Sequence, residues 1–285
     1  MKKIISQIVC FLILIIGVTA CDYVKDARDP AAPKAEGSRK VLVEDYTGHK
    51  CGNCPAAADT LSYLETKYPG KIIPLAIHAG FFATVGGAYP TDLRKPEGTA
   101  YDNQFGISNA GNPNGLVNRI GYGTGGFIKA YTSWEGVAYQ MLTQTAKFDI
   151  KIKNTFNTSG NSLNTSVTVK SLAYNTGTYK LVVLLTEDSI IAEQLDYRIS
   201  SGSQVITNYE FNHVLRAAIN STWGDAVFGG VGAGINDSVV KPYTNFPIDA
   251  AYRPAKCHVV AYVYDADPSS PTYYEVLQVE EAKVK

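Results

Sequence analysis

The stretch Lys50-Cys51-Gly52-Asn53-Cys54-Pro55 lies where a predicted strand meets a predicted helix. Before it, Lys40–Tyr46 is short, β-branched and mostly apolar, which is typical of a buried strand. After it, apolar residues recur at helical spacing until Pro69-Gly70 ends the run. The two cysteines are therefore predicted at a helix N-terminus, where unpaired backbone N–H groups stabilise a thiolate.

A second buried-strand pattern, Lys71–His78, follows this helix, and the order strand, helix, strand predicts a right-handed βαβ unit with parallel strands. A Cys-x-x-Cys motif in that setting is typical of thioredoxin-like redox proteins.

Pro113 stands just before a short apolar run, where thioredoxin-like folds place a cis-proline beside the cysteines. The alternative for this stretch is a plain Asn-Pro-Asn-Gly turn. We predict a thioredoxin-like domain over residues 39–146.

Thiol–disulfide exchange would give each of four residues a role. Cys51, at the mouth of the helix, suits attack as an accessible thiolate, and Cys54, one turn in, suits resolution of the mixed disulfide. Asp45 precedes Cys51 at an offset where thioredoxin-like proteins often bury an acid, and a raised pKa would let it relay a proton to Cys54. Pro113 would help to dock an extended substrate chain. No cofactor is expected other than the Cys51–Cys54 disulfide itself.

The cysteine pair has other interpretations. A structural disulfide without turnover is a serious competitor in an exported protein. Half of a zinc site is a weaker one, since no second pair with ligand spacing exists, and Cys257 and the four histidines form no obvious complement. Cys257 begins a predicted strand without an evident partner, so we expect a buried free thiol there.

The N-terminus carries an export pattern. Residues 1–20 have a basic head and a short apolar run, which are the proportions of a secretory signal peptide. The run ends in Val18-Thr19-Ala20-Cys21, which resembles a bacterial lipoprotein box and predicts lipidation of Cys21. Residues 21–38 lack an apolar period and are interpreted as a lipidated tether. We therefore expect a protein held by this lipid in the cell envelope, outside the cytoplasm.

The pattern changes in the second half of the chain. Phe148–Lys153 and Leu163–Lys170 alternate apolar and polar residues, as half-buried antiparallel strands do, and Tyr179–Thr186 suits a buried strand. Several short strands with turn signals predict a β-sandwich, immunoglobulin-like, over residues 147–285. The predicted fold class is α/β plus all-β, a thioredoxin-like N-terminal domain followed by an antiparallel β-sandwich C-terminal domain.

Charge argues against a nucleic-acid partner. The 285 residues include 26 basic and 26 acidic side chains, and removal of the signal peptide would leave the chain slightly acidic.

Several blocks of sequence, in addition to the lipoprotein box, carry a family resemblance: Val41–Gly48, Cys51–Pro55, Gly111–Pro113 with Asn118-Arg119, and Val259–Tyr264 with Glu275–Gln278. Together they resemble the Bacteroidetes outer-membrane lipoproteins related to a 28-kDa outer membrane protein. The resemblance implies a thioredoxin-like domain followed by a β-rich domain on an envelope lipoprotein at the outer membrane, on its periplasmic or surface face, and it does not settle activity.

Two functions are therefore open. The first is a lipid-anchored oxidoreductase that exchanges thiols and disulfides with envelope proteins. The second is a non-catalytic surface lipoprotein that binds a protein or ligand and uses Cys51–Cys54 as a structural disulfide. The sequence does not indicate the oligomeric state.

Overall fold

A computed structural model of the chain describes residues 38–285. The predicted signal peptide, Cys21 and all of the predicted tether except Ser38 lie outside the described residues. Among the described helices, none is long and apolar enough to cross a membrane.

The helices are α1 (Cys54–Lys67), α2 (Pro96–Phe105), α3 (Ile107–Ala110) and α4 (Trp134–Leu142). The strands are β1 (Val41–Thr47), β2 (Ile72–His78), β3 (Asn114–Val117), β4 (Lys129–Ala130), β5 (Phe148–Asn157), β6 (Ser162–Ser171), β7 (Tyr179–Glu187), β8 (Ile190–Leu195), β9 (Val205–Phe211), β10 (Val214–Ala218), β11 (Asp225–Val227), β12 (Ser238–Pro247), β13 (Cys257–Asp265) and β14 (Val276–Lys283).

The predicted strand–helix–strand unit lies at the centre of the protein. β1 and β2 are buried along their whole length and pair in parallel. α1 begins at Cys54 and has Pro55 in its first turn, where the missing N–H of proline removes no helical hydrogen bond. The buried face of α1 includes Leu61 and Leu64, which pack in one apolar cluster with Val41 of β1. Burial of this stripe holds the start of the helix, and so the cysteines, against the sheet.

The largest sheet has nine strands and includes strands from both halves of the chain. Its order is β14-β13-β7-β10-β2-β1-β3-β4, and β11 pairs with β7. β10 connects the halves, because Val214 pairs in parallel with Ala76 of β2, and the N–H of Ala76 donates to the carbonyl of His213 at 2.9 Å. The sheet therefore continues across the predicted boundary between residues 146 and 147. The outer edge of β2 has backbone groups that need partners, and β10 supplies them.

The alternating strands of the second half form a separate, three-stranded antiparallel sheet with the order β12-β6-β5. Val167 and Val169 lie on the buried face of β6. They belong to one apolar cluster with Leu181 and Val183 of β7 and Val259 of β13, so this sheet packs on the larger one. The described chain is thus mostly β-sheet, in several sheets, with a few helices.

A buried ion pair and a hydrogen bond, both made by Arg119, connect β1 with β13. Arg119 donates to both carboxylate oxygens of Glu44, at 2.8 and 2.7 Å, and to the hydroxyl of Tyr262 at 2.8 Å. The side chains of Glu44 and Arg119 are both fully buried. The guanidinium also lies 4.8 Å from the ring centroid of Phe105. Glu44 and Asp45 are adjacent on β1 and face opposite sides of the sheet, as strand geometry requires.

Residues 190–211, here called the covering hairpin, form the third sheet from β8 and β9. Its apolar side chains Ala192 and Phe211 pack in a small cluster with Leu93 and Val214. The hairpin follows β7 directly, so a segment from the second half of the chain returns to the unit that contains the cysteines.

Candidate functional site

Cys51 and Cys54 form a disulfide at the start of α1. The preceding loop is a tight turn, in which the N–H of Cys51 donates to the carbonyl of Gly48 at 2.9 Å. Both cysteines are buried, with exposed fractions of 3% for Cys51 and 2% for Cys54. The prediction of an accessible Cys51 is therefore wrong for this conformation of the chain.

The covering hairpin contributes to this burial, together with Phe82, whose carbonyl accepts from the N–H of Lys50 at 3.0 Å. The N–H of Leu195 donates to the carbonyl of His49 at 2.8 Å, and the N–H of Tyr197 donates to the carbonyl of Gly52 at 2.9 Å. The ring of Tyr197 lies so close to Gly52 that a Cβ at this glycine would be 2.4 Å from a ring carbon. Sequence reasoning missed these contacts, because no local pattern relates residues 194–197 to a loop that precedes them by more than a hundred positions.

Asp45 of β1 and Cys54 line the same cavity, whose volume is about 220 Å³. The carboxyl group is buried, and desolvation raises the pKa of Asp45 from 3.8 to about 7, as predicted for the acid at this position. Its Oδ1 has no hydrogen-bond partner among residues 38–285. A water needs roughly 15 Å³ of such volume, so the cavity has room for several. A carboxyl that titrates near neutral pH and shares this cavity with Cys54 could exchange a proton with the Cys54 thiolate once the disulfide is reduced.

Polar groups from other elements line the rest of the cavity. Gln194 of β8 is buried, and its Nε2 donates to the carbonyl of Cys51 at 3.0 Å. His213 has its Nε2 3.2 Å from a carboxylate oxygen of Glu65 on α1. Burial on its own lowers the pKa of His213, but the hydrogen bond to Glu65 and the nearby carboxylates raise it overall. A cavity lined in this way can hold water next to Asp45.

Pro113 also lies at this end of the sheet. The predicted cis bond between Asn112 and Pro113 is confirmed. Pro113 comes directly before β3, and β3 pairs antiparallel with β1 so that Asn114 is opposite Tyr46. This register places Pro113 beside the end of β1 from which the chain enters the Cys-x-x-Cys loop.

The third cysteine among residues 38–285 lies on a different strand of the large sheet. Cys257 is a buried free thiol at the start of β13, as predicted, and burial raises its pKa to about 12. Among residues 38–285, no group of three or more His, Cys, Asp or Glu side chains is placed to hold a metal ion.

The fold and this site define a mixed protein, mostly β-sheet, in which one helix begins at a Cys-x-x-Cys disulfide. Residues 98–285 match the family model described as Outer membrane protein Omp28, and the chain belongs to this family. The family name indicates an outer-membrane protein. The matched range begins after the disulfide, so the family match does not include Cys51 and Cys54.

Two solved structures share the fold over most of the chain. HBP35 of Porphyromonas gingivalis superposes with a TM-score of 0.61 at 17% identity, over 88% of this chain and 77% of that one. Protein AGR_C_4864 from Agrobacterium tumefaciens superposes with a TM-score of 0.53 at 15% identity, over 88% of this chain and 97% of that one. No curated protein matches the sequence.

Proposed function

We propose that the protein is a thioredoxin-like thiol–disulfide exchanger of the cell envelope, which acts through Cys51 and Cys54 on cysteines of other envelope proteins. The observation that carries this proposal is the cavity shared by Cys54 and Asp45, whose carboxyl has a pKa raised to about 7 by burial. The βαβ arrangement, the cysteines at the start of α1 and Pro113 before β3 support the thioredoxin-like interpretation.

Exchange with a partner dithiol would take place in two steps. A partner thiolate attacks Sγ of Cys51, so that a mixed disulfide forms and the Cys51–Cys54 bond breaks. Cys54 leaves as a thiolate and takes the proton held by Asp45, which recovers a proton from water in the cavity. The second partner thiolate then attacks the partner sulfur of the mixed disulfide, and Cys51 leaves and is protonated by solvent. The partner is oxidised to a disulfide, its two thiol protons pass to solvent, and the cysteine pair is reduced by two electrons.

A structural disulfide is the second candidate, and the burial of both sulfurs favours it. Its energetic benefit would be small, however, because a ring that spans only four residues gains about 2 kcal/mol from restriction of the unfolded chain. Raising the pKa of Asp45 from 3.8 to about 7 corresponds to a cost on the order of 4 kcal/mol when the group ionises. A costly buried acid that lines a cavity with a cysteine of the pair is typical of a reactive site, and it is not needed to form a structural disulfide.

Lipidation of Cys21 belongs to the same proposal, since it would hold the exchanger at the outer membrane within reach of exported proteins. The strands of the second half would contribute through the covering hairpin, which contacts the Cys-x-x-Cys loop directly.

A trapping experiment tests the exchange function. In the Cys54→Ser variant, Cys51 keeps its thiol and has no internal partner, so mixed disulfides with envelope proteins should accumulate and disappear on reduction. The matched control is Cys51→Ser, which should accumulate few or none, and buried Cys257 is the same in both variants. The absence of adducts from Cys54→Ser, or equal amounts from both variants, would refute exchange through Cys51.

A further inference from the structure

One segment of the covering hairpin contacts the Cys-x-x-Cys loop as a bound peptide would. Residues 194–198 are here called the strap. Leu195 and Tyr197 are two positions apart, and their N–H groups donate to the carbonyls of His49 and Gly52 at 2.8 and 2.9 Å. Leu195 is the last residue of β8 and Tyr197 lies in the turn that follows, and each places a backbone N–H on the loop, as a bound polypeptide segment can do. The strap therefore occupies backbone acceptors that an extended polypeptide could use.

We propose that the strap occupies the substrate face of the Cys51–Cys54 site, so that the site accepts an extended polypeptide segment only after the strap has moved away. This inference rests on the proposed exchange function and adds to it the class of substrate and a means of control. The substrate would place its own backbone N–H groups on the carbonyls of His49 and Gly52.

The strap blocks the approach to Cys51. The ring of Tyr197 lies against Gly52, and Gln194 holds the carbonyl of Cys51 from the cavity side. A thiolate must reach Sγ of Cys51 to form a mixed disulfide, and Cys51 is only 3% exposed with the strap in place. Gly52 has no side chain, so the space that Tyr197 fills could take an aromatic or large apolar residue of a substrate instead.

The strap is held in place weakly on its outer side. Arg198 forms ion pairs with Asp196 beside it and with Asp59 of α1. The side chains of Arg198 and Asp59 are 48% and 68% exposed, and exposed ion pairs add little to stability. The residues that follow, 200–204, are exposed, and the hairpin has only two strands. Segments of this kind open locally without unfolding of the whole protein.

The test compares strap variants of the full chain in the oxidised state. Tyr197→Gly removes the cover over Gly52, and Arg198→Ala removes the link to α1. The second-order rate constant for reduction of Cys51–Cys54 by a reduced cysteine-containing peptide is measured by alkylation and mass spectrometry. We expect Tyr197→Gly to raise this rate constant about tenfold or more and Arg198→Ala to raise it by a smaller factor. The control Lys67→Ala removes an ion pair at the other end of α1 and should leave the rate constant unchanged.

Wild-type rate constants in both strap variants, with circular dichroism showing a folded chain, would overturn the proposal. The double variant Asp45→Asn/Tyr197→Gly, measured across a pH series, distinguishes failure of the strap proposal from failure of the proposed exchange function. If the strap variants react faster but Asp45→Asn leaves the pH profile unchanged, the strap covers a disulfide whose proton transfer does not involve Asp45. If Asp45→Asn changes the profile but the strap variants do not react faster, the exchange site stands and the strap is not its gate.

Discussion

Glu44→Gln is expected to lower the free energy of unfolding by roughly 3–5 kcal/mol, because it leaves the charged guanidinium of Arg119 buried without its counterion. Both side chains are fully buried, and water cannot replace the carboxylate oxygens that now accept from Arg119. The hydroxyl of Tyr262 and the aromatic rings around the guanidinium remain, but they are neutral and compensate only in part. Urea unfolding followed by circular dichroism measures the change.

Two further variants test whether charge, rather than shape, causes this loss. The double variant Glu44→Leu/Arg119→Met replaces the pair by apolar side chains and should recover a large part of the stability, since a buried pair often contributes little beyond its apolar replacement. Lys67→Ala breaks a partly exposed pair with Glu135 and should cost no more than about 1 kcal/mol. A Glu44→Gln protein as stable as Lys67→Ala would contradict the importance of the buried pair.

Asp45→Asn is expected to slow exchange by about a hundredfold, the lower end of what a positioned acid contributes. Asparagine cannot give a proton to the departing Cys54 sulfur. The wild-type rate should change near pH 7, where Asp45 titrates, and this inflection should be absent in the variant. Stopped-flow reduction across a pH series measures both effects, and the inflection is a readout that a purely structural role would not alter.

The same substitution should change the pH dependence of stability in a defined direction. The folded pKa of Asp45, about 7, lies above the unfolded value of 3.8, so its protonated form favours the folded state. The contribution of Asp45 to the free energy of unfolding is therefore fully present below pH 4. It is lost as the pH rises through 7, and the loss amounts to about 4 kcal/mol at most. Asp45→Asn should remove this decline between pH 4 and pH 8. An unchanged decline would mean that Asp45 ionises without cost.

Local patterns in the sequence were sufficient to predict β1, α1 and the proline before β3. The apolar run of β1, the helical spacing after Cys54 and the proline before β3 each depend on neighbouring residues, and all appear where predicted. The alternation in β5 and β6 likewise reports which face of each strand is buried. Alternation does not report which strand lies next to which, so the pairing of β10 with β2 could not be predicted.

The parts of the site that sequence reasoning missed depend on distant residues. Gln194 and Tyr197 contact the Cys-x-x-Cys loop only because β7 and β10 bring the covering hairpin back to β2. Their own sequence is an ordinary strand end and turn. Arg119 carries a charge that would normally be exposed, and its burial follows from Glu44 and Tyr262, which are far from it in the chain. A single sequence contains no signal for such pairs.

The most direct test of exchange at Cys51 and Cys54 is the midpoint potential of this disulfide, measured by equilibrating the purified protein in redox buffers and counting free thiols. We predict a potential between about −120 and −270 mV, the range of known exchange proteins. A value below about −300 mV, as in structural disulfides of exported proteins, would contradict the proposed function.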